Sequence, residues 1–411
     1  MGWYGGRRGQ QLETLMRVPG RAQSAPVRQA RNMVVARWQT SATLDTHGLP
    51  TGAYLVRLDA SDGSQGYIPL TVRAKSTRGT VVLVSPVTTW EAYNSFGHYD
   101  LYRGVDGRFS SRARAVSFDR PYQEHFGSAA FINRELPIVA EAERLGLHLA
   151  YLTDVDLDLN PHAVDGARAV ITMGHDEYWS SAMRAVVTRA RDAGTNLAFF
   201  GANDMFRRIR FESSPLGSAR VEVNYKIAAE DPAFYRGNRS ITADWPSPPH
   251  AQPESSIIGS QYNCFRPGRA AGVVVSPASA FFNGTGVTFG TQLPRLVGPE
   301  VDRVNLLFPT PRPLQILLHS PFTCPGGRSY ADTTYYTAAS AAGVFAAGSE
   351  SWVCAMTRTC ASAKTSAIVR RISDNILRVF AIGPAGRSVK AVDNIRRFAS
   401  TKRLGIPGHV L

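Results

Sequence analysis

Apolar residues in this chain fall into short runs that stop at glycine and polar residues, the pattern of buried strands delivering their last residues to a sheet edge. Residues 81–85, 169–173 and 196–200 are such runs, and 147–152, 314–318 and 343–347 repeat the pattern. Between 173 and 196, Met183, Val186, Val187 and Ala190 recur at helical spacing behind Ser180, a capping candidate, and Gly194 ends the helix. This is a strand, helix, strand unit, and in open parallel sheets chemistry sits at the carboxyl ends of such strands. The polar tips Gly174-His175-Asp176-Glu177-Tyr178 and Gly201-Ala202-Asn203 are therefore expected on one edge. Further helices are expected over 135–145 and over 366–380, where Ile368, Ile372, Ile376 and Val379 share a face.

Residues 52–58 and 67–72 alternate around a glycine-containing turn and predict an antiparallel hairpin. With it, residues 1–78 read as a small all-β, sandwich-like domain. Its start, Met1-Gly2-Trp3-Tyr4-Gly5-Gly6, is abruptly aromatic and strand-like, as if the chain opened inside a domain. Residues 75–79 read as a linker, and 79–411 as an α/β domain with a mostly parallel sheet and β-rich insertions. Residues 86–114 form a long polar and aromatic excursion, of a length that in compact domains usually serves function.

Composition narrows the partners. Of 411 residues 44% are hydrophobic and only 19% charged, which describes a folded globular chain. The 46 Lys and Arg against 32 Asp and Glu give a net charge of +14, enough to attract polyanions. The basic residues are spread in nothing longer than pairs such as Arg207-Arg208 and Arg370-Arg371, so no nucleic-acid partner is expected. No run approaches the roughly 20 apolar residues of a membrane span. Cys264, Cys324, Cys354 and Cys360 form no CxxC, which argues against structural zinc. Cys354 and Cys360 can close a small disulfide loop, or all four can stay reduced and buried; localisation is open between cytoplasm and export.

The turn Phe200-Gly201-Ala202-Asn203-Asp204 holds no cysteine or serine, no cysteine precedes Cys264, and no GxSxG elbow exists. A cysteine triad on this sheet is excluded on those grounds. The edge is instead rich in oxygen: Tyr93, Tyr99 and Tyr102 in the excursion, then His175, Glu177 and Tyr178, then Asn203. Taken singly, each has an ordinary role: the tyrosines as core or rim aromatics, Glu177 as a first-turn carboxylate, Asn203 as a turn residue, Glu300 as a surface partner of Arg303. His98, His162 and the pair Asp154 and Asp156 are weaker ligand candidates.

In order along the chain, TWEAYN, LYRGVDGR, VSFDRPY, AYLTDVDL, GHDEYW, GAND, GPEVDR and GVFAAGSESW resemble the C-terminal domain of the large subunit of N,N-dimethylformamidase, over about residues 1–385. The resemblance implies a flavodoxin or class I glutamine amidotransferase-like fold behind a β domain, and an iron-dependent amidohydrolase cleaving the C–N bond of a small amide. It implies one mononuclear Fe(III) held by two tyrosines and a glutamate, which match Tyr93, Tyr102 and Glu177, with Tyr99 standing close to the Tyr102 position. It places His175, Asn203 and Glu300 beside the metal as catalytic residues. It also implies a small partner subunit or a homo-oligomer. The rival reading is a non-catalytic carbohydrate- or peptide-binding module on the same fold, in which the tyrosines only stack. Aromatics that set pocket size are expected in an irregular stretch around Phe322. The chemistry agrees with the resemblance: a phenol of pKa near ~10 becomes a good ligand once a highly charged cation displaces its proton, and two phenolates with a carboxylate form a hard anionic set.

Overall fold

The buried runs assemble into one seven-stranded mixed sheet in the order Leu314–Cys324, Gly327–Thr337, Gly343–Ala346, Asn196–Phe199, Ala169–Thr172, Val81–Ser85, Leu149–Thr153. The computed structural model describes residues 2–3, 9 and 17–399. The last five strands run parallel, with Ala169–Thr172 between Val81–Ser85 and Asn196–Phe199. The edge hairpin Leu314–Cys324 and Gly327–Thr337 is antiparallel and joins antiparallel to Gly343–Ala346.

Alternation on these strands divides the core in two, because successive side chains leave opposite faces. Leu83, Ile171, Ala198 and Phe345 enter one cluster; Val82, Val84, Val170, Leu197 and Val344 enter the other. The helix Ser181–Asp192 covers the second face with Met183, Val186, Val187 and Ala190, and Ser180 caps it by accepting the Met183 N–H. The helices Leu136–Arg144 and Ala363–Ile382 cover the first with Ile138, Val139 and Ala142, and with Ile368, Ile372 and Ile376. Fully burying each such branched side chain stabilises by about 1.5–3 kcal/mol, so the helices are held by their apolar faces more than by their intrinsic propensity.

Gly52–Asp59 and Gln65–Val72 pair antiparallel as the hairpin, Gly2–Trp3 adds to its outer side, and Ala53 and Leu55 enter the first core. Met1 and Tyr4 to Gly6 of the aromatic start lie outside the described residues. A second sheet is built from Tyr178–Ser180, Arg207–Ser214, Gly217–Val223 and Ala115–Ser117, and it stands beside the carboxyl edge of the main one. The cysteines pair as Cys264–Cys324 and Cys354–Cys360. Phe322 is not in an irregular stretch. It is part of the long strand Leu314–Cys324, where Pro321 is accommodated because that strand is the sheet edge. No helix among the described residues is long and apolar enough to cross a membrane.

Glu254 is buried at the start of the helix Ser255–Ile258 and accepts the Tyr262 N–H at 3.0 Å, while its other oxygen has no partner. Burial, opposed by backbone hydrogen bonds, pushes its carboxyl up to about 8. A carboxyl raised in the folded state stabilises while protonated in both states and loses that contribution as pH climbs from its unfolded value, about 4.3, through about 8. Glu254→Gln keeps the acceptor and cannot ionise. The gap in denaturant midpoint between Glu254→Gln and the parent should therefore widen in favour of glutamine from pH 5 to pH 9; a gap that narrows contradicts the assignment.

Candidate metal centre

The two polar tips meet because glycine allows it. Gly174 sits at φ +65 with Arg134 O only 2.6 Å from where a Cβ would stand, and a Cβ on Gly201 would come within 1.8 Å of Gly174 O. The tips are then tied by Asp176 N donating to Asp204 Oδ1 at 2.9 Å and by His175 Nδ1 to Ala202 O at 3.0 Å. Ala202 O can only accept, so Nδ1 carries a proton in every state and Nε2 is the nitrogen that gains and loses one.

Tyr93 and Tyr102 come from the excursion, which is ordered by internal ties. The helix Val87–Tyr93 follows the strand Val81–Ser85 directly, and its Thr89 hydroxyl accepts the Glu177 N–H at 2.9 Å. Arg120 is buried and donates to Glu91 Oε1 at 2.6 Å and to the carbonyls of Asn94, Phe96 and Tyr99, clamping the chain behind Tyr93. Asp100 accepts the backbone N–H of Tyr102 at 2.7 Å and fixes the turn that carries it.

These ties bring three oxygen-bearing side chains to one point. Tyr93 OH donates to Glu177 Oε2 at 2.7 Å, Tyr102 OH lies 3.0 Å from both Glu177 oxygens, and the two hydroxyls are 2.7 Å apart. The rings stack at 4.6 Å between centroids. Tyr178 OH donates to Tyr102 OH at 2.8 Å, and Lys226 donates to Tyr178 while standing 3.6 Å above the Tyr102 ring. Arg207 Nε donates to Glu177 Oε1 at 3.0 Å, and its other end pairs with Asp244.

Electrostatics sort these groups. Burial first, then the Glu177 carboxylate, pushes the Tyr93, Tyr102 and Tyr178 phenols well above their ordinary range. Burial also acts to raise Glu177, but the His175 hydrogen bond and the charges of Lys226 and Arg207 overcome it and hold the carboxyl below the usual range. Glu177 is thus an anion enclosed by donors. The set fits a hard, highly charged cation. Phenols that resist ionising alone lose their protons where a cation replaces them, and the two hydroxyls already converge on the Glu177 carboxylate. Among the described residues no group of three or more His, Cys, Asp and Glu side chains is arranged to hold a metal, so an ion here depends on the tyrosines.

His175 Nε2 lies 3.4 Å from Glu177 Oε2 and 3.5 Å from Glu300 Oε2, between the donor set and the second carboxylate. Burial lowers its pKa, but the Glu300 and Glu177 charges outweigh that and raise it. Burial raises Glu300, with His175 acting against it. The Asn203 side chain acts on Glu300 to hold its carboxyl down, the Asn203 backbone N–H donates to Asp302 at 2.8 Å, and Asn203 Oδ1 and Glu300 Oε2 are both buried without a hydrogen-bond partner. Tyr93, His175 and Glu300 face a cleft of about 280 Å³, whose walls include Trp90 and Phe265. Trp90 and Phe265 thus stand with Tyr93 as aromatic walls of the cleft, and Phe322 lines a neighbouring groove instead. A larger cleft of about 690 Å³, past Arg73, Asp156 and His162, touches none of the convergent residues.

The other candidates stand apart. Tyr99 OH accepts from Arg28 at 2.9 Å. His162 pairs with Asp165 on an exposed turn, Asp156 pairs with Arg73, and Asp154 accepts from the Thr88 N–H and hydroxyl. Glu300 is buried and faces His175, whereas Arg303 donates to Ser329. Lys226, Arg207 and Thr89 carry no sequence signal for this role, because strand pairing and chain crossings bring them in. Tyr178 adjoined Glu177 in sequence, and only its hydroxyl's partners make it part of the cluster.

No curated protein matches the chain. The family model described as N,N-dimethylformamidase beta subunit-like, C-terminal, matches residues 1–364, more than half of the 411, and the chain belongs to that family.

Proposed function

We propose that the protein is an iron-dependent amidohydrolase that cleaves the C–N bond of a small amide, on a glutamine amidotransferase-like scaffold, with Tyr93, Tyr102 and Glu177 holding one ferric ion. The observation that carries this reading is the convergence of two phenol oxygens on one buried carboxylate, 2.7–3.0 Å away, beside a histidine–glutamate pair. Family membership supports it. When bound, the ion supplies Lewis acidity, which polarises an amide carbonyl and makes water a better nucleophile near neutral pH.

The protein's own groups then manage protons and position. Glu300, raised by burial, accepts the proton of the attacking water. His175 Nε2, within 3.5 Å of Glu300, takes that proton on and delivers it to the departing amine, with Nδ1 tethered to Ala202 O throughout. Asn203 orients Glu300 with one amide hydrogen and offers the other to the oxyanion that develops. Arg207 and Lys226 keep Glu177 anionic. The beta subunit-like description of the family supports assembly with a small second subunit or a second copy.

The test is turnover. Iron-loaded protein should hydrolyse low-mass formamides and acetamides, dimethylformamide being one candidate, with release of free amine followed by chromatography. No turnover of any of them, together with absence of iron and with ligand binding undiminished in Glu177→Gln, contradicts this reading and favours a binding module.

A further inference from the structure

Beside the candidate centre lies a groove of about 560 Å³ lined by Arg266, Arg269, Arg328, Phe322 and Tyr330. It shares Pro267, Gly268 and Arg269 with a shallower surface that adds Arg295, and that surface in turn shares Phe265 and Pro299 with the cleft at Tyr93 and Glu300. One continuous path therefore runs from the convergent oxygens to a cluster of four guanidinium groups. Several arginines elsewhere meet acids, as in Arg31–Glu212, Arg210–Asp231, Arg220–Asp119 and Arg312–Asp393. Among the described residues no carboxylate pairs with Arg266, Arg269, Arg295 or Arg328. Arg269 and Arg295 both donate to the Cys360 carbonyl, at 3.2 and 3.0 Å, which sets two like charges side by side in the loop closed by Cys354 and Cys360. Arg295 donates there through Nε, and Arg269 through Nη1 with a long contact from Nη2 to Cys354 Sγ at 3.9 Å, so neither guanidinium meets an anion. Burial and the neighbouring Arg295 both lower the Arg269 pKa, the mark of a cation crowded by another. Like charges held together without a counter-charge are relieved by an anion, and a planar fork is matched to a carboxylate.

The inner cleft has the opposite character, since Glu124, Glu300 and Glu350 line it, and Arg134 there is already paired with Glu350. An anionic group is repelled from the inner end and drawn to the outer one. We propose that the arginine groove binds a carboxylate, and that the amides this protein acts on carry an acidic tail that lies in it while the amide reaches the cleft at Tyr93 and Glu300. This rests on the amidase reading above and deepens it from small amides to amides of amino acids.

The test compares iron-loaded protein on N-formylglycine and N-formyl-aminohexanoate with neutral formamides of matched length. At low salt at least one acidic amide should have a kcat/KM about tenfold above its neutral match, the scale of one charge-assisted pair. That ratio should fall towards one in Arg269→Gln/Arg295→Gln, and separately in Arg328→Gln, whose exposed side chain has no structural tie to lose. Neutral amides turned over as fast as acidic ones overturn the inference and leave the amidase reading intact. If no amide is turned over, calorimetry with N-formyl-aminohexanoate and with inorganic phosphate decides the groove on its own. Binding of the acidic amide that weakens about tenfold in either variant supports it. No binding, or phosphate binding as tightly as the acidic amide, overturns it.

Discussion

Purified Glu177→Ala is expected to carry no iron. Glu177 is the one anion at the point where Tyr93 and Tyr102 converge, and both hydroxyls lie 2.7–3.0 Å from its oxygens. Its loss removes one of three proposed protein ligands, and with it the carboxylate that accepts from Arg207 Nε at 3.0 Å, leaving Arg207 paired with Asp244 alone. A cation would then meet two phenols that stay protonated in this environment and no carboxylate at the point where they converge. Atomic emission on the purified variant reads the outcome. Glu177→Ala that retains one iron per chain contradicts the assignment of Glu177 as a ligand.

Glu300→Ala should do the reverse, keeping the iron and losing turnover by about 10²–10⁴-fold, the contribution of a positioned general base. Its carboxylate reaches the Glu177 carboxylate through His175, whose Nε2 lies 3.5 Å from Glu300 and 3.4 Å from Glu177. Removing it leaves Tyr93, Tyr102 and Glu177 in place and leaves His175 with no carboxylate on the cleft side to exchange a proton with. Iron content and kcat measured on the same preparation separate the two roles. If Glu300→Ala releases the iron, Glu300 belongs to the metal's own shell.

The parallel core of the sheet was legible because each strand is an apolar run between turn residues, and the strand, helix, strand unit sets Asn196–Phe199 parallel to Ala169–Thr172, whereas the place of Val81–Ser85 on its other side had no local signal. The antiparallel edge was harder to read. Leu314 to Leu318 reads as a buried strand, but Pro321 discourages extending it, and only its edge position, where a missing N–H costs nothing, lets it continue to Cys324. The turn signal Pro325-Gly326 before the return strand Gly327–Thr337 was present in the sequence. The helix Ser181–Asp192 with its Ser180 cap was readable from spacing, whereas the wide turn Phe131–Glu135 that leads into Leu136–Arg144 was not.

In the site, the juxtaposition of His175 and Glu177 with Ala202 and Asn203 followed from topology, since consecutive parallel strands end on one edge. The approach of Tyr93 and Tyr102 was not deducible from periodicity. It depends on Arg120 and Asp100 folding the excursion, and motif order alone pointed to it. Motif order also left Tyr99 and Tyr102 close rivals; the structure turns Tyr99 towards Arg28 and Tyr102 towards Glu177. Lys226 and Arg207 arrive from the second sheet and the segment after it, through pairings that no local pattern encodes.

The central claim is that Tyr93 and Tyr102, with Glu177, hold one ferric ion. A phenolate bound to ferric iron absorbs in the visible by ligand-to-metal charge transfer, so the measurement is the visible spectrum of purified protein alongside its iron content. The account predicts one iron per chain and a visible band that weakens in Tyr93→Phe and in Tyr102→Phe and is unaffected in Tyr99→Phe. Protein purified after iron loading that is colourless and iron-free, or a band bleached by Tyr99→Phe and untouched by Tyr102→Phe, would contradict it.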